Sequence, residues 1–206
     1  MQTKKDEIYS AILSAAQAEF AQHGFGGTTM RKIAARAKVT LSNIYNYFKN
    51  KDEIFAAVLK PLRDKIEYGK QLMLAHIHED DEEDEDHSGM MQGVMGFILT
   101  NKPALRLLLF KSKGSKLEDY QDDFKKWYAG ISRRDLELES QRSGIDFTEI
   151  SDFAVEFVSG IYVDVVIKAI RSDFSPQEFG RIAQEMMAYS HSGWQGLLNW
   201  KSKNSE

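Results

Sequence analysis

The stretch VTLSNIYNYFKNKDEI, residues 39–54, contains two tyrosines and a phenylalanine that alternate with asparagine and lysine. Aromatic residues at this density usually belong to a core. Ile44 and Phe48 are four residues apart and therefore share one face of a helix. The polar and tyrosine side chains between them fall on the other face. The stretch thus predicts a helix with one buried face and one face that contacts a partner.

The residues before this stretch complete a small helical unit. Residues 6–24 have apolar side chains at helical spacing, and a glycine-rich turn ends that helix. The segment MRKIAARAK, residues 30–38, forms a second helix with its basic side chains outside. After a break of about three residues, Thr40 is placed to cap a third helix over residues 41–48. This order predicts a helix-turn-helix at about residues 29–48.

The second helix of such a motif lies in the major groove of DNA, with its first residues at base edges. Asn43 and Asn46 offer the donor and acceptor pair that suits adenine, and Leu41 suits a thymine methyl. Tyrosine hydroxyls and the ammonium groups of Lys49 and Lys51 suit phosphates. The predicted DNA-contacting residues are Thr28, Thr29, Arg31, Thr40, Leu41, Ser42, Asn43, Tyr45, Asn46, Tyr47, Lys49 and Lys51.

The stretch TTMRKIAARAKVTLSNIYNYFKNKDEI, residues 28–54, resembles the TetR family of bacterial transcriptional regulators. The preceding ILSAAQAEFAQHGFGGTT is similar to the first helix and turn of that family, so that the resemblance covers roughly residues 6–60. It implies a DNA-reading domain followed by a helical domain that dimerises and binds an effector, most often for repression. Lys38 and Ser42 occupy positions where the family usually has glycine. If the turn needs a positive φ, Lys38 carries roughly 1 kcal/mol of strain.

The charge distribution favours a polyanionic partner at one end of the chain. The net charge of the 206 residues is −4, yet residues 1–60 carry nine Lys and Arg against five Asp and Glu. A basic head on an acidic body is typical of a protein that binds nucleic acid through that head. The absence of cysteine excludes disulfides, thiol catalysis and cysteine-ligated zinc. No apolar run approaches the roughly 18 residues needed to span a bilayer, which predicts a cytoplasmic protein without a membrane partner.

Helical periodicity continues to the end of the chain, and strand signals are scarce. The sequence predicts an all-α protein of about nine helices, with a DNA-binding domain over residues 1–50 and a ligand-binding and dimerisation domain over residues 51–206. Ser175, Pro176 and Glu178 form a strong start signal for the last helix. The predicted helices beyond residue 80 cover residues 90–99, 103–110, 116–140, 149–170 and 177–200.

The last two predicted helices have the features of an interface between protomers. Residues 149–170 are apolar on two faces, so both faces must be covered, one by the same domain and one by a partner. The helix over residues 177–200 offers small residues, including Gly193 and Gly196, that permit close helix contact. These features predict a two-fold homodimer through both helices that reads a roughly palindromic operator.

The middle of the chain is rich in methionine and aromatic residues, which suit either a helical core or an adaptable apolar pocket. The resemblance to effector-binding regulators favours a pocket for a mostly apolar small molecule, in which Arg106 would matter only for an acidic ligand. The predicted ligand-binding residues are Met95, Phe97, Arg106, Phe124, Trp127, Tyr128 and Tyr162.

Eight consecutive carboxylates, Glu79 to Asp86, lie between His78 and His87, with His76 close by. Consecutive like charges repel, so a solvated loop is the main interpretation, with a metal site or an acidic strand that competes with DNA as alternatives. A metal-dependent hydrolase and an architectural DNA-binding protein without an effector are the rival functions. No His-x-x-x-His on a helix, nucleophile elbow or phosphate loop supports an enzyme. We therefore expect no catalytic residue, no cofactor and no metal.

Overall fold

The computed structural model describes residues 4–76, 87–144, 146–147 and 149–203. The all-α prediction is confirmed, since the secondary structure of these residues is entirely helical. The eight helices are α1 (Lys4–Gly27), α2 (Met30–Ala37), α3 (Leu41–Tyr45), α4 (Lys51–His76), α5 (His87–Phe110), α6 (Tyr120–Ser143), α7 (Asp152–Arg171) and α8 (Pro176–Lys203).

The chain forms two compact units. The first consists of Met1–Leu72 and Asn101–Tyr120, and the second of Met73–Thr100 and Gln121–Glu206. These units differ from the division after residue 50 that the sequence suggests. The first unit takes in most of α4 and the end of α5, because both helices contribute buried side chains to its core.

Aromatic rings at the end of α1 explain why α4 belongs to the first unit. Phe20 and Phe55 meet edge to face with their ring centroids 4.9 Å apart, and Phe25 lies 5.1 Å from Phe55. All three side chains are buried. Phe25 reaches this position because α1 breaks at Gly24, whose φ of 68° and ψ of 175° suit glycine alone.

Lys38 adopts a left-handed conformation at the turn of the helix-turn-helix, which meets the condition under which strain was expected. Its φ is 55° and its ψ is 37°, and its N–H is directed at the carbonyl oxygens of Ala34 and Ala35. A side chain in this conformation costs about 1 kcal/mol relative to glycine. The turn therefore carries this strain at a lysine.

Helix α5 runs through Pro103 without interruption, so the predicted separation into two helices over residues 90–99 and 103–110 is wrong. Proline removes one backbone hydrogen bond from a helix. The side chains of Ile98 and Leu105, one on each side of the proline, are both buried.

Residues Gly93–Phe110 of α5 also correct the expectation about apolar runs. These 18 residues have a mean hydropathy of 1.2. By length and composition alone, the segment could cross a membrane. The segment includes Lys102 and Arg106, and the side chains of Leu107 and Leu108 are buried within the first unit. Length and composition alone are weak evidence, and the absence of a membrane partner stays a prediction.

The second unit has its own core, built around the start of α7. Its members are the buried Leu136, Phe147, Ile150 and Val155, with Ala154, Trp194, Leu197 and Leu198 packed against them. The predicted start of α8 is confirmed: the Ser175 N–H donates to Glu178 Oε2 at 2.8 Å, and the Glu178 N–H donates to Ser175 Oγ at 3.2 Å. Hydrogen bonds from Ser175 lower the pKa of Glu178.

Candidate DNA-binding surface

Two threonines begin the helices of the helix-turn-helix. Thr29 Oγ1 accepts a hydrogen bond of 3.2 Å from the Lys32 N–H, and Thr40 Oγ1 accepts one of 3.2 Å from the Asn43 N–H. Such caps contribute about 1 kcal/mol each to stability. Both threonines are exposed, and each hydroxyl proton remains available to a phosphate oxygen.

Helix α3 separates a buried face from an exposed one, as the sequence predicts. Ile44 is fully buried and Phe48, just after the helix, is also buried. On the other face, Tyr45 is 52% exposed. The other predicted contacts in this segment are the exposed Ser42 and Asn46 and the half-buried Leu41, Asn43 and Tyr47.

Tyr47 has a packing role in addition to its predicted one. Its ring centroid lies 6.2 Å from that of Tyr9 on α1, and Tyr9 also stacks on Phe48 at 5.3 Å. These contacts fix the end of α3 against α1. Tyr47 is thus less exposed than Tyr45 and contributes to the position of the reading helix.

Two of the predicted DNA-contacting side chains form hydrogen bonds to backbone carbonyls of the first unit. Thr28 is 1% exposed, and its hydroxyl donates to the Gly24 carbonyl at 2.8 Å. Lys51 Nζ donates to the carbonyls of Phe25 at 2.7 Å and Thr28 at 2.9 Å, and lies 4.0 Å from the centre of the Phe25 ring. Burial lowers the pKa of Lys51, opposed by the charge of Asp52. Both residues therefore lock the turn, and we remove them from the set of expected phosphate contacts.

An ion pair that the sequence analysis missed joins α2 to α1. Arg36 Nε donates to Glu19 Oε1 at 2.7 Å, and its Nη2 donates to Gln22 Oε1 at 3.1 Å. The Glu19 side chain is only 8% exposed. The sequence signal for this pair was Glu19, a carboxylate on the apolar face of α1 next to Phe20, because a buried charge needs a partner.

The remaining cations of the motif are at its surface. Arg31 and Lys49 are exposed. The Lys49 backbone N–H donates to Glu53 Oε2 at 2.7 Å. Lys32 Nζ donates to the Gly27 carbonyl at 3.0 Å, although the residue is exposed. Arg31 and Lys49 thus present positive charge beside the polar face of α3.

Residues 12–58 match the family described as bacterial regulatory proteins, tetR family. This range holds α1 from Ile12 onwards, the capped turn and the reading helix. Residues 12–58 form a TetR-type domain. This domain contains the ten predicted DNA contacts that the structure does not use inside the first unit.

Individual proteins agree with this assignment. The HTH-type transcriptional repressor Rv3405c of Mycobacterium tuberculosis is 41% identical over 66 residues, which are 32% of this chain and 35% of that protein. The match to this curated relative thus spans about a third of its length. The structure of NalD, the secondary repressor of the MexAB-OprM multidrug efflux pump in Pseudomonas aeruginosa, is similar over 91% of this chain and 95% of that chain, with 17% identity and a TM-score of 0.64.

A second solved structure, the SmeT–triclosan complex, is similar over 88% of this chain and 90% of that chain, with 19% identity and a TM-score of 0.57. At these identities the likeness concerns the fold alone. The helical fold of these two solved structures therefore covers most of this chain.

The predicted ligand-binding aromatic residues form a connected series in the second unit. The ring centroids are 5.3 Å apart for Phe124 and Trp127, 6.4 Å for Trp127 and Tyr128, and 6.2 Å for Tyr128 and Tyr162. All four side chains are half-buried. Burial raises the pKa of Tyr128 to about 12, with further contributions from Tyr162 and Asp135. Tyr128 is therefore a neutral hydroxyl at any physiological pH.

The other predicted ligand-binding residues are distributed less closely. Met95 and Phe97 are half-buried in the second unit, whereas Arg106 belongs to the first. A methyl group added at Gly180 would lie 3.4 Å from Met95 Cε, so Met95 packs against α8. A groove of about 420 Å³ lies along α6, and its lining includes none of the predicted residues: Gly130, Arg133, Arg134, Glu137, Leu138 and Gln141.

Ser159 on α7 is a polar group that the sequence analysis did not select. It is 1% exposed, and among the described residues its Oγ has no hydrogen-bond partner. An unpaired buried hydroxyl costs about 1–3 kcal/mol, which makes it available to a polar atom of a bound molecule. The sequence signal for it was its place between Val155 and Val163, which are four residues away on either side and also buried.

The acidic run Glu79–Asp86 and His78 lie outside the described residues, as do the side chains of His76 and His87. The three interpretations of this run stay predictions: a solvated loop, a metal site, or an acidic strand that competes with DNA.

Proposed function

We propose that this protein is a sequence-specific transcriptional repressor that binds a palindromic operator as a homodimer and is released by an apolar small molecule. The single observation that carries the proposal is the exposed polar face of α3 on a TetR-type domain. We expect a cytoplasmic protein without catalytic activity, as is usual for such regulators.

Each exposed residue has a distinct part in DNA binding. The two cap hydroxyls, the side chains of Arg31 and Lys49, and the tyrosine hydroxyls contact phosphates and set the register of the protein. Leu41, Ser42 and Asn43, in the first turn of α3, contact bases together with Asn46. Because Ser42 adds a hydroxyl where the family has glycine, we expect base preferences that differ from those of its relatives.

The test is the replacement of Asn43 by alanine. We expect Asn43→Ala to lose about 1–3 kcal/mol of binding free energy on the preferred operator, because the amide hydrogen bonds to one base disappear. Preference should relax at that one base position. Selection of duplexes from a random library, followed by binding measurements on the enriched sequence, gives both quantities.

Lys49→Gln is the matched control for this experiment, because phosphate contacts carry no sequence information. It should weaken binding to every duplex while leaving the selected motif unaltered. An unaltered motif for Asn43→Ala would show that α3 meets the DNA in another orientation.

We place the homodimer interface on α7 and α8. Phe153 is 78% exposed and Phe157 is 63% exposed, and the two rings stack 6.3 Å apart. On α8 the exposed Tyr189, Gly193 and Trp200 follow one another at helical spacing. Exposed aromatic residues beside small residues suit close packing of helices from two copies of the chain.

We place the effector site at the aromatic series of the second unit. The SmeT structure holds triclosan, an apolar aromatic compound, which supports a similar class of ligand here. Tyr128 and Tyr162 would orient the ligand through their hydroxyls, and Ser159 would pair with a polar atom. Since ligand and DNA favour different states, each weakens binding of the other by the same coupling free energy.

A panel of apolar aromatic compounds, titrated against the complex with the selected operator, tests this part of the proposal. We expect at least one compound to release the DNA and to change the fluorescence of Trp127, with Trp127→Phe as the control for the signal. Ser159→Ala should raise the free energy of unfolding by about 1 kcal/mol, because it removes an unpaired buried hydroxyl. The same variant should bind the compound more weakly. Release by divalent metals alone, lost on replacement of His76, His78 and His87, would instead make the acidic run the sensor.

A further inference from the structure

The segment of residues 111–119, between α5 and α6, carries three exposed lysines, Lys111, Lys113 and Lys116. It lies far along the chain from the TetR-matching residues 12–58, yet it belongs to the first unit. We call this segment the lysine loop. Nothing in its sequence relates it to DNA binding, and its significance comes from where the fold places it.

Hydrogen bonds hold both ends of the lysine loop on the DNA-binding domain. The Phe25 N–H donates to the Lys111 carbonyl at 2.7 Å, and the Lys116 N–H donates to Asp52 Oδ1 at 2.9 Å. Gly114 turns the loop with a φ of 87°, and its N–H donates to Glu118 Oε2 at 2.9 Å. The backbone of the loop is therefore fixed to the α1–α2 turn and to the first turn of α4.

The loop is anchored where two helix N-termini come together. Lys51, the first residue of α4, donates to the carbonyl of Thr28, which directly precedes the N-cap of α2. The first turn of α2 carries no carboxylate, so its dipole and N–H groups favour a phosphate, whereas Asp52 and Glu53 lie in the first turn of α4. We take the N-terminus of α2 as the part of this corner that continues the proposed DNA surface.

The charges of the loop complement a phosphate at this corner. Lys113 and Lys116 are exposed, and within the part of the chain that the structure describes neither side chain forms an ion pair. The Glu118 carboxylate accepts a hydrogen bond from the Gly114 N–H. Lys51, the cation expected at this corner, is turned inward. A lysine has a long flexible stem that carries its ammonium group to a phosphate beyond the backbone that anchors it.

We propose that Lys113 and Lys116 bind backbone phosphates that flank the bases read by α3. The lysine loop is then a second DNA-binding element, contributed from outside the helix-turn-helix. The proposal rests on the proposed operator binding and adds residues that recognise phosphate and no base.

The test compares a double variant, which carries both Lys113→Gln and Lys116→Gln, with the full-length wild type. The probe is the duplex that the wild type selects from a random library. Each lost phosphate contact lowers the slope of log Kd against log salt by about 0.9, so a symmetric dimer loses up to roughly 3.6. We expect binding near 0.1 M salt to weaken by about tenfold for each phosphate contact that the dimer loses, and the base motif to stay unaltered.

The matched control is Lys60→Gln with Lys126→Gln, which removes two exposed lysines, on α4 and α6, with the same change of charge. It should keep the wild-type salt slope. Thermal unfolding of both double variants should match the wild type, because all four side chains are exposed. A salt slope for the Lys113 and Lys116 variant that equals the control would overturn the proposal.

Neutral methylphosphonate linkages, placed one at a time along the duplex, then locate the contacts. At one or two linkages in each half-site, neutralisation should weaken the wild type and leave the double variant unaffected. If the double variant keeps the wild-type sensitivity at every linkage, the lysines do not bind phosphate. A wild type that enriches no duplex would refute operator binding itself, and with it the role of the loop.

Discussion

Replacing Phe153 and Phe157 together with glutamate is expected to convert the dimer into monomers and to weaken operator binding by at least about 100-fold. Each ring contributes about 1.5–3 kcal/mol when it is buried, and a carboxylate in its place adds the cost of burying a charge. Two linked reading heads bind a palindrome about 10²–10⁴-fold more tightly than one, and the variant loses this gain. Light scattering at micromolar concentration and binding to the selected operator measure the two effects.

Tyr68→Glu is the control, since Tyr68 is another exposed aromatic residue, on α4. This variant should remain a dimer and keep its operator affinity. If the double glutamate variant also scattered light as a dimer, the interface would lie elsewhere and the exposed face of α7 would need another partner. A monomeric wild type would refute the proposed assembly directly.

The second large effect is expected from Lys51→Met. Methionine keeps the apolar stem but removes the ammonium donor from the carbonyls of Phe25 and Thr28 and the cation from the face of the Phe25 ring. The Phe25 carbonyl keeps only the Thr28 N–H, at 3.3 Å. Hydrogen bonds from a charged group contribute about 1.5–3 kcal/mol and a cation over a ring about 0.5–1 kcal/mol. We expect the free energy of unfolding to fall by about 2–4 kcal/mol in urea titrations.

Lys49→Met provides the comparison, because Lys49 is an exposed lysine two residues away. It should leave the free energy of unfolding nearly unchanged and lower the salt slope of DNA binding. The opposite pattern, with an unchanged stability and a reduced salt slope for Lys51→Met, would restore Lys51 as a phosphate contact.

The sequence by itself determined the elements whose physical causes are local. Ile44 and Phe48 fix the buried face of the α3 segment within four residues, and Thr29 and Thr40 cap their helices through N–H groups three residues away. The left-handed Lys38 and the capped start of α8 are local in the same sense. Interactions of this range depend on spacing along one helix or turn, and spacing is visible in the sequence.

The tertiary structure alone decided which polar residues the fold uses for itself. Lys51 bonds carbonyls 23 and 26 residues away, and Asp52 accepts a hydrogen bond from Lys116, 64 residues away. These partners meet only when α1, α4 and the end of α5 pack around Phe25. A lysine that binds a carbonyl and a lysine that binds a phosphate look alike in sequence, because both are cations near a helix start. Packing separates them, since it brings two carbonyls to one ammonium group and leaves the other in solvent.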